Sequence, residues 1–176
     1  MRLIQMLLFI AMVVPFAHAV DDLESVKAVL RSPRRDWSKW PWDEHAEDLK
    51  SRGDAAMESL AQLLTDYDLG YEAAQTMLVI DAVRAGPLIF SSMPKSNRNV
   101  QREGFQYFNR WIEEGKEVPF RTAMHGAAVR CLEADTNADA AIEALFTLGL
   151  TGGKSDFSLL EKFYSKGSLY QVAGHF

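Results

Sequence analysis

Apolar residues recur along most of the chain at spacings of three and four residues, the period of one buried face of an α-helix. No segment shows the strict alternation of apolar and polar residues that marks a half-buried strand. Most periodic segments end at glycine or proline, or begin after a residue type that caps helices. The pattern predicts an all-α protein with helices over residues 20–30, 43–52, 55–65, 71–85, 88–93, 100–114, 119–133, 140–150 and 157–164.

Some of these helix boundaries depend on single residues. Gly53 is predicted to stop one helix and Asp54 to cap the next. Gly86-Pro87 is predicted to interrupt the chain between two separate helices. Pro119 is placed as the first residue of its helix, a position where the missing N–H needs no helical partner.

The turns between the predicted helices are short, which favours antiparallel neighbours and hence helical hairpins. Two architectures fit this arrangement: a compact helical bundle, or a short α-solenoid of stacked hairpins. Phe105, Phe108 and Trp111 repeat at helical spacing and are predicted to face the core, with Tyr107 pointing elsewhere. The length fits one domain, which we place at residues 20–176.

Parts of the sequence resemble the helical-pair pattern of HEAT-like repeats. The segments that carry the resemblance are Ala140 to Phe146, then Leu148-Gly149, then Ser155-Asp156-Phe157 with Leu159-Leu160, a second occurrence at Asp54 to Leu60, and a third junction at Ala85 to Ile89. The resemblance implies a short solenoid of helix pairs. Because HEAT-like repeats generally bind proteins, it also implies interaction rather than catalysis.

Residues 1–19 have the pattern of a secretory signal peptide. Arg2 supplies a positive start, an apolar stretch follows, and Ala17-His18-Ala19 places small residues at the cleavage positions. We predict cleavage after Ala19 and a periplasmic or secreted mature chain, the alternative being an uncleaved N-terminal anchor, for which the apolar run is short. No later stretch is apolar and long enough to be predicted as a stable membrane anchor.

Composition and charge narrow the function classes. The chain has 176 residues, of which 48% are apolar, and a net charge of −5. Without residues 1–19, 18 basic and 24 acidic side chains remain, a net charge of −6. This is a globular balance, and it argues against a broad nucleic-acid-binding surface. The single cysteine excludes an intramolecular disulfide and zinc sites built from several cysteines.

Two acidic turns partly imitate calcium loops. Asp135, Asn137 and Asp139 occupy positions 1, 3 and 5 of an EF-hand-like loop, but Ala140 replaces the glycine and Phe146 the bidentate glutamate. The turn that begins with Asp66 and Asp68 fails at the same final position, which is Met77. Helix capping and turn formation are therefore the preferred interpretation of both segments.

The remaining candidate chemistries are also incomplete. His45 has the acidic neighbours Glu44, Glu47 and Asp48, but it is a single imidazole, and a solvated helix start explains it better than a metal site. On one helix, Cys131 and His125 would lie about 120° off a common face, so we interpret Cys131 as a buried, inert thiol. We predict no catalytic residue, no metal and no cofactor.

The unusual segment is residues 31–42, RSPRRDWSKWPW, which we call the arm. Three of the four tryptophans of the chain lie in it, interleaved with cations, and the candidate binding residues are Arg34, Arg35, Trp37, Lys39, Trp40 and Trp42. Exposed Trp and Arg side chains are strong binding anchors for proteins, and exposed indoles can also stack on sugar rings. Alternatively, the indoles plug the first helices and cover the core, the interpretation that the sequence alone favours.

The sequence thus predicts an exported, non-catalytic protein-binding module, namely a periplasmic immunity or inhibitor protein that blocks a toxic or lytic enzyme, or an envelope adaptor. An acidic binder is suited to a basic enzyme cleft. The alternative is a cell-wall glycan-binding or glycan-hydrolysing protein that uses the indoles of the arm. Exposed indoles would favour glycan binding or a protein interface, and buried indoles would remove the best argument for glycan binding.

Overall fold

The computed structural model describes residues 22–134 and 138–165, and this part of the chain is an all-α, compact helical bundle with no strand. The chain forms a first helix, α1, over residues 22–30. The helices that follow are α2 (Pro41–Lys50), α3 (Asp54–Leu63), α4 (Gly70–Ser92), α5 (Arg98–Glu113), α6 (Arg121–Glu133), α7 (Ala138–Thr151), a short 3-10 helix (Lys154–Asp156) and α8 (Phe157–Ser165).

Three of the sequence predictions lie outside the described residues. They are the signal peptide over residues 1–19, the segment 135–137 of the first calcium-like turn, and the chain beyond residue 165. The all-α fold class is confirmed, and of the two architectures the compact bundle is the one found.

Helix α4 does not break where the sequence predicted. The chain stays helical through Gly86-Pro87 as far as Ser92, and the break falls at Asp81, whose φ of −161° and ψ of 95° are not helical. The Asp81 carboxylate accepts a hydrogen bond of 3.1 Å from the N–H of Arg84, so Asp81 starts the second half of α4 in the way an N-cap residue does. The predicted interruption at Gly86-Pro87 is therefore wrong.

Two helix starts also differ from the prediction by a residue or two. Helix α6 begins at Arg121, after a turn that contains Pro119, so the proline precedes the helix instead of opening it. Gly53, with a φ of 59°, is the N-cap of α3, and Asp54 is the first helical residue. Positive φ is accessible to glycine because it has no Cβ.

Helix α4 is the centre of the bundle, in contact with α2, α3, α5 and α6, while α7 packs against α5 and α6. An aromatic cluster joins α4 and α5 to the N-cap residue of α6. Its ring centroids are 4.9 to 6.0 Å apart, and it is formed by Phe90, Phe105, Phe108 and Phe120. Phe105 and Phe108 are fully buried, as their helical spacing predicted, and Trp111 lies half-buried against them.

By length and composition, α4 could cross a membrane, since its most apolar window has a mean hydropathy of 1.3. Half of that window is buried against the other helices, however. The central helix of a helical bundle has the same features, so they are weak support for a membrane span.

The fold predicts that Gly86→Ala destabilises the protein. A Cβ at position 86 would lie 2.1 Å from the Phe120 ring, which is itself packed against Phe90 and Phe108. Overpacking of this kind typically lowers the free energy of unfolding by about 1–3 kcal/mol. Chemical denaturation measures the change.

The matched control is Gly149→Ala in α7, where a new Cβ would meet no atom of the other described residues within 4 Å. This substitution should leave stability unchanged or raise it by up to about 1 kcal/mol, because alanine is the better helix former. Equal effects of the two substitutions would show that Phe120 does not need the space at Gly86.

Candidate functional site

The arm connects α1 to α2 and has no helical residues before Pro41. Its first half is folded around the guanidinium of Arg34. That group donates hydrogen bonds to the backbone carbonyls of Asp36 (3.1 Å), Trp37 (2.9 Å) and Lys39, and it lies 5.2 Å from the centroid of the Trp37 ring. Arg34 therefore fixes the shape of the loop and supports the Trp37 indole.

A buried carboxylate holds the arm from the other side. Glu44 of α2, with a side chain only 5% exposed, accepts hydrogen bonds from the backbone N–H groups of Arg35 (2.9 Å) and Asp36 (2.6 Å). The Arg35 Nε also donates to it, at 3.2 Å. These donors, first of all the Arg35 backbone N–H, hold the pKa of Glu44 below its ordinary value.

Two further cations of the arm, Arg35 and Lys39, are paired with acidic residues of α2. Arg35 also reaches Asp48, with a distance of 3.1 Å between Nη2 and Oδ2, and the Lys39 Nζ lies 2.6 Å from the Glu47 carboxylate. The acidic residues along α2 thus neutralise two of the cations that made the arm conspicuous in the sequence.

The indoles occupy three different environments. Trp37 is 81% exposed and Trp40 is 62% exposed, while Trp42 is half-buried. The rings of Trp40 and Trp42 are stacked with centroids 5.0 Å apart and an interplanar angle of 5°. Trp42 makes an edge contact with Tyr71 of α4 at 5.9 Å.

The expectation that the indoles plug the core is wrong for Trp37 and Trp40. Val26 and Leu30 of α1 and Leu49 of α2 are the buried core residues of the helices on either side of the arm. Of the six candidate residues, Trp37 and Trp40 are exposed to solvent. Arg34, Arg35 and Lys39 instead make contacts that stabilise the arm.

The start of α2 also differs from the prediction of a solvated helix end. His45 is 4% exposed, and within the described part of the chain its Nδ1 has no hydrogen-bond partner. Burial lowers the pKa of His45, which favours the neutral imidazole. Among the described residues, no group of three His, Cys, Asp or Glu side chains is arranged to hold a metal ion.

The turn role of Asp66 is confirmed, since its carboxylate accepts hydrogen bonds of 2.9 Å from the N–H groups of Asp68 and Leu69. It does not cap α4, whose N-cap residue is Leu69. The prediction of a buried thiol is confirmed as well. Cys131 is fully buried in the core, and burial raises its pKa to about 11. A thiol with such a pKa carries little thiolate near neutral pH and is a poor nucleophile.

A shallow groove of about 360 Å³ lies beside the arm between α2 and α4. Its floor is apolar, formed by Ala46, Val79 and Ile80, and its rim is charged, formed by Lys39, Asp43, Glu47 and Lys50. Because Lys39 belongs to both the arm and the groove, a partner seated on the indoles has further surface to contact there.

Sequence reasoning missed the role of Glu44. An acidic residue in the first turn of a helix is ordinarily explained by the helix dipole, and nothing local indicates that its carboxylate folds back over the preceding loop. Two features together could have indicated this contact. A loop of ten residues offers many backbone donors, and Glu44 follows it in the first turn of α2, on the buried side of that helix.

Glu44→Gln should loosen the arm without unfolding the bundle. The amide has one acceptor oxygen and an NH2 group that opposes the backbone donors. We expect hydrogen exchange at the amides of Arg35 and Asp36 to become roughly tenfold faster, as measured by NMR. Glu58→Gln, on an exposed position of α3, is the control and should change neither amide.

The same contact sets a pH dependence. Because the folded pKa of Glu44 lies below the ordinary value of 4.5, its stabilisation of the arm is complete above pH 4.5 and is lost as the pH falls through the folded pKa. The amide protection of Arg35 and Asp36 should fall in that acidic window. In Glu44→Gln this loss of protection at acidic pH should be absent. If the variant kept the pH profile of the wild-type protein, Glu44 would not be the group that titrates.

Cys131 should resist alkylation in the folded protein. Burial and a pKa of about 11 both suppress the thiolate, so iodoacetamide at neutral pH should react only after denaturant unfolds the bundle. Mass spectrometry of both samples measures this difference, and rapid alkylation of the native protein would reopen the case for a reactive thiol.

Comparison with known proteins identified no relative of this chain. No protein-family model, no curated protein and no solved structure matches the chain. The resemblance to HEAT-like repeats accordingly stays a prediction from the sequence, and the candidate function depends on the geometry of the arm.

Proposed function

We propose that this chain is an exported, non-catalytic protein-binding module whose contact surface is the arm. The observation that carries the proposal is the exposure of Trp37 and Trp40 on a loop held in one shape by Arg34 and Glu44. The specific forms that we propose are a periplasmic immunity or inhibitor protein directed at a toxic or lytic enzyme, and an adaptor in an envelope complex.

Large apolar indoles that are exposed to water on an ordered loop are energetically unfavourable unless a partner covers them. Tryptophan dominates the energetics of many interfaces, where it fills a desolvated pocket in the partner. A loop that is already ordered also loses less conformational entropy on binding than a flexible one. The hydrogen bonds of Arg34 and Glu44 therefore favour binding even if neither residue touches the partner.

Charge supports a protein partner of basic character. The predicted mature chain has a net charge of −6, and two cations of the arm, Arg35 and Lys39, are already paired with Glu44, Glu47 and Asp48. Such a surface attracts a basic enzyme cleft over long range while the indoles provide the close contact. This combination is well suited to an inhibitor that blocks an active site.

A second candidate function, glycan binding by the arm, is favoured by the Trp40 ring. One face of this indole is stacked on Trp42, and the residue remains 62% exposed. A flat aromatic surface of this kind also fits the apolar face of a sugar ring. The experiment that tests the proposal must therefore offer both kinds of partner.

The test is a pull-down with the purified protein as bait, against periplasmic extract and, in parallel, against purified peptidoglycan. We expect one stoichiometric protein partner. Trp37→Ala should weaken that binding by roughly 30-fold, the effect of losing an interface hot spot of about 2 kcal/mol. Titration calorimetry with the identified partner measures the change.

Phe157→Ala is the matched control, because Phe157 is also a strongly exposed aromatic residue but lies on α8. It should bind the partner as the wild-type protein does. Retention on peptidoglycan without a protein partner would contradict the proposal and favour the glycan alternative. Equal losses for both substitutions would show that the arm is not the contact surface.

A further inference from the structure

A second concave surface lies between α4 and α5, and its lining is unlike that of the groove beside the arm. The cleft has a volume of about 380 Å³, within the range of small-molecule sites. Its floor and walls consist of Gln75 from α4 and of Glu103, Gln106, Tyr107, Arg110 and Trp111 from α5. The ion pair Glu114–Lys116 lies at the end of α5.

The floor of the cleft is aromatic and firmly supported. The rings of Tyr107 and Trp111 lie with centroids 5.6 Å apart and an interplanar angle of 42°. Both rings rest on the fully buried Phe108, each in an edge contact, at 5.1 Å and 5.4 Å respectively. The core therefore fixes the orientation of two half-buried aromatic side chains that still face the cleft.

The walls are polar, and part of their hydrogen-bonding capacity is unused. Glu103 is held by Arg102 at 2.8 Å and by the Gln75 amide at 3.3 Å, so one carboxylate is locked in position. The side chains of Gln106 and Arg110, by contrast, make no hydrogen bond or close ion pair within the described part of the chain, although Arg110 lies within electrostatic reach of Glu143. These two side chains lie about one helical turn apart and present several donors and one acceptor to the cleft.

We propose that the α4–α5 cleft binds a saccharide ring, stacked on Trp111 and hydrogen-bonded by Gln106 and Arg110. A pyranose ring has a flat apolar face that matches an indole and a rim of hydroxyl groups, each able to donate and accept. Amide, carboxylate and guanidinium groups around an aromatic floor supply the complementary set. The proposal is independent of the protein-binding role of the arm.

Other ligand classes fit the cleft less well. The carboxylates of Glu103 and Glu114 offset the charges of Arg110 and Lys116, so the cleft offers a phosphate no net positive charge. Its lining has two aromatic side chains among six polar or charged ones, which leaves little apolar surface for an acyl chain. An extended peptide needs partners for its backbone amides, but the backbone groups of α4 and α5 are already paired within the helices. A saccharide makes its hydrogen bonds to side chains, which is what the cleft offers.

The site is arranged to bind a saccharide and not to hydrolyse it. Glu103 and Glu114 are eleven residues apart at opposite ends of the cleft, which corresponds to about 16 Å along the helix axis. The two carboxyl groups of a glycosidase lie roughly 5 to 10 Å apart. Glu103 is moreover committed to its contacts with Arg102 and Gln75.

The side chain that covers the Trp111 ring can move aside. The Lys116 Nζ lies 5.6 Å from the centroid of that ring and pairs with Glu114 at 2.7 Å, and both charged residues are more than half exposed. Exposed ion pairs contribute little to stability. A sugar ring can therefore displace Lys116 from the indole at small cost.

The test is titration of the purified protein with chitotriose and, separately, with maltotriose, followed by NMR. We expect the side-chain signals of Gln106 and Trp111 to shift on addition of at least one trisaccharide, with a dissociation constant of order 1 mM. Arg110→Ala and Gln106→Ala should each weaken binding by about fivefold or more. Both positions are on the surface of α5, so the fold should be retained.

The matched control is Arg121→Ala, which removes an exposed arginine of α6 outside the cleft and should leave the affinity unchanged. The proposal is overturned if neither trisaccharide binds, or if both α5 variants bind like the wild type. Loss of sugar binding in Trp37→Ala, with Arg110→Ala unaffected, would also overturn it and would place the sugar on the arm. Saccharide binding that persists in Trp37→Ala separates this site from the protein-binding proposal.

Discussion

The packing of α4 against its neighbours is the constraint on which the rest of the structure depends. Four other helices contact α4, and Phe120 approaches it closely only because position 86 carries no side chain. The same helix positions both candidate surfaces: Tyr71 contacts the Trp42 indole of the arm, and Gln75, one helical turn further, lines the α4–α5 cleft. Any shift of α4 would therefore alter both surfaces together.

The existence of the helices could be predicted because it depends on local periodicity, and the strongly periodic stripe around Phe105 and Phe108 was placed correctly. The break in α4 could not. Gly86 and Pro87 are local signals of a helix end, but close packing against Phe120 keeps Gly86 inside the helix, whereas Asp81 caps the second half. A tertiary contact thus overrides a local preference, and one sequence contains no sign of it.

Some features of the candidate site could likewise be predicted from the sequence, and others could not. Composition alone identifies the arm, because tryptophans and cations are concentrated there. The roles of those residues depend on what lies beneath them. Val26 and Leu30 of α1 and Leu49 of α2 belong to the buried core, whereas Trp37 and Trp40 stay outside it. Glu44, which sequence reasoning placed in a solvated helix start, is the buried acceptor that holds the arm.

The division of roles within the arm bears on how it would bind. Its cations look like binding groups in the sequence, but their hydrogen bonds are made to the arm itself and to α2. Their contribution to a complex is therefore indirect, through the entropy that a preorganised loop does not lose on binding. Because the Arg34 guanidinium lies beside the Trp37 ring, the two residues are expected to act as one unit, with energetic effects that are not additive. The indoles therefore make the contact with a partner, and the charged side chains stabilise the conformation of the arm.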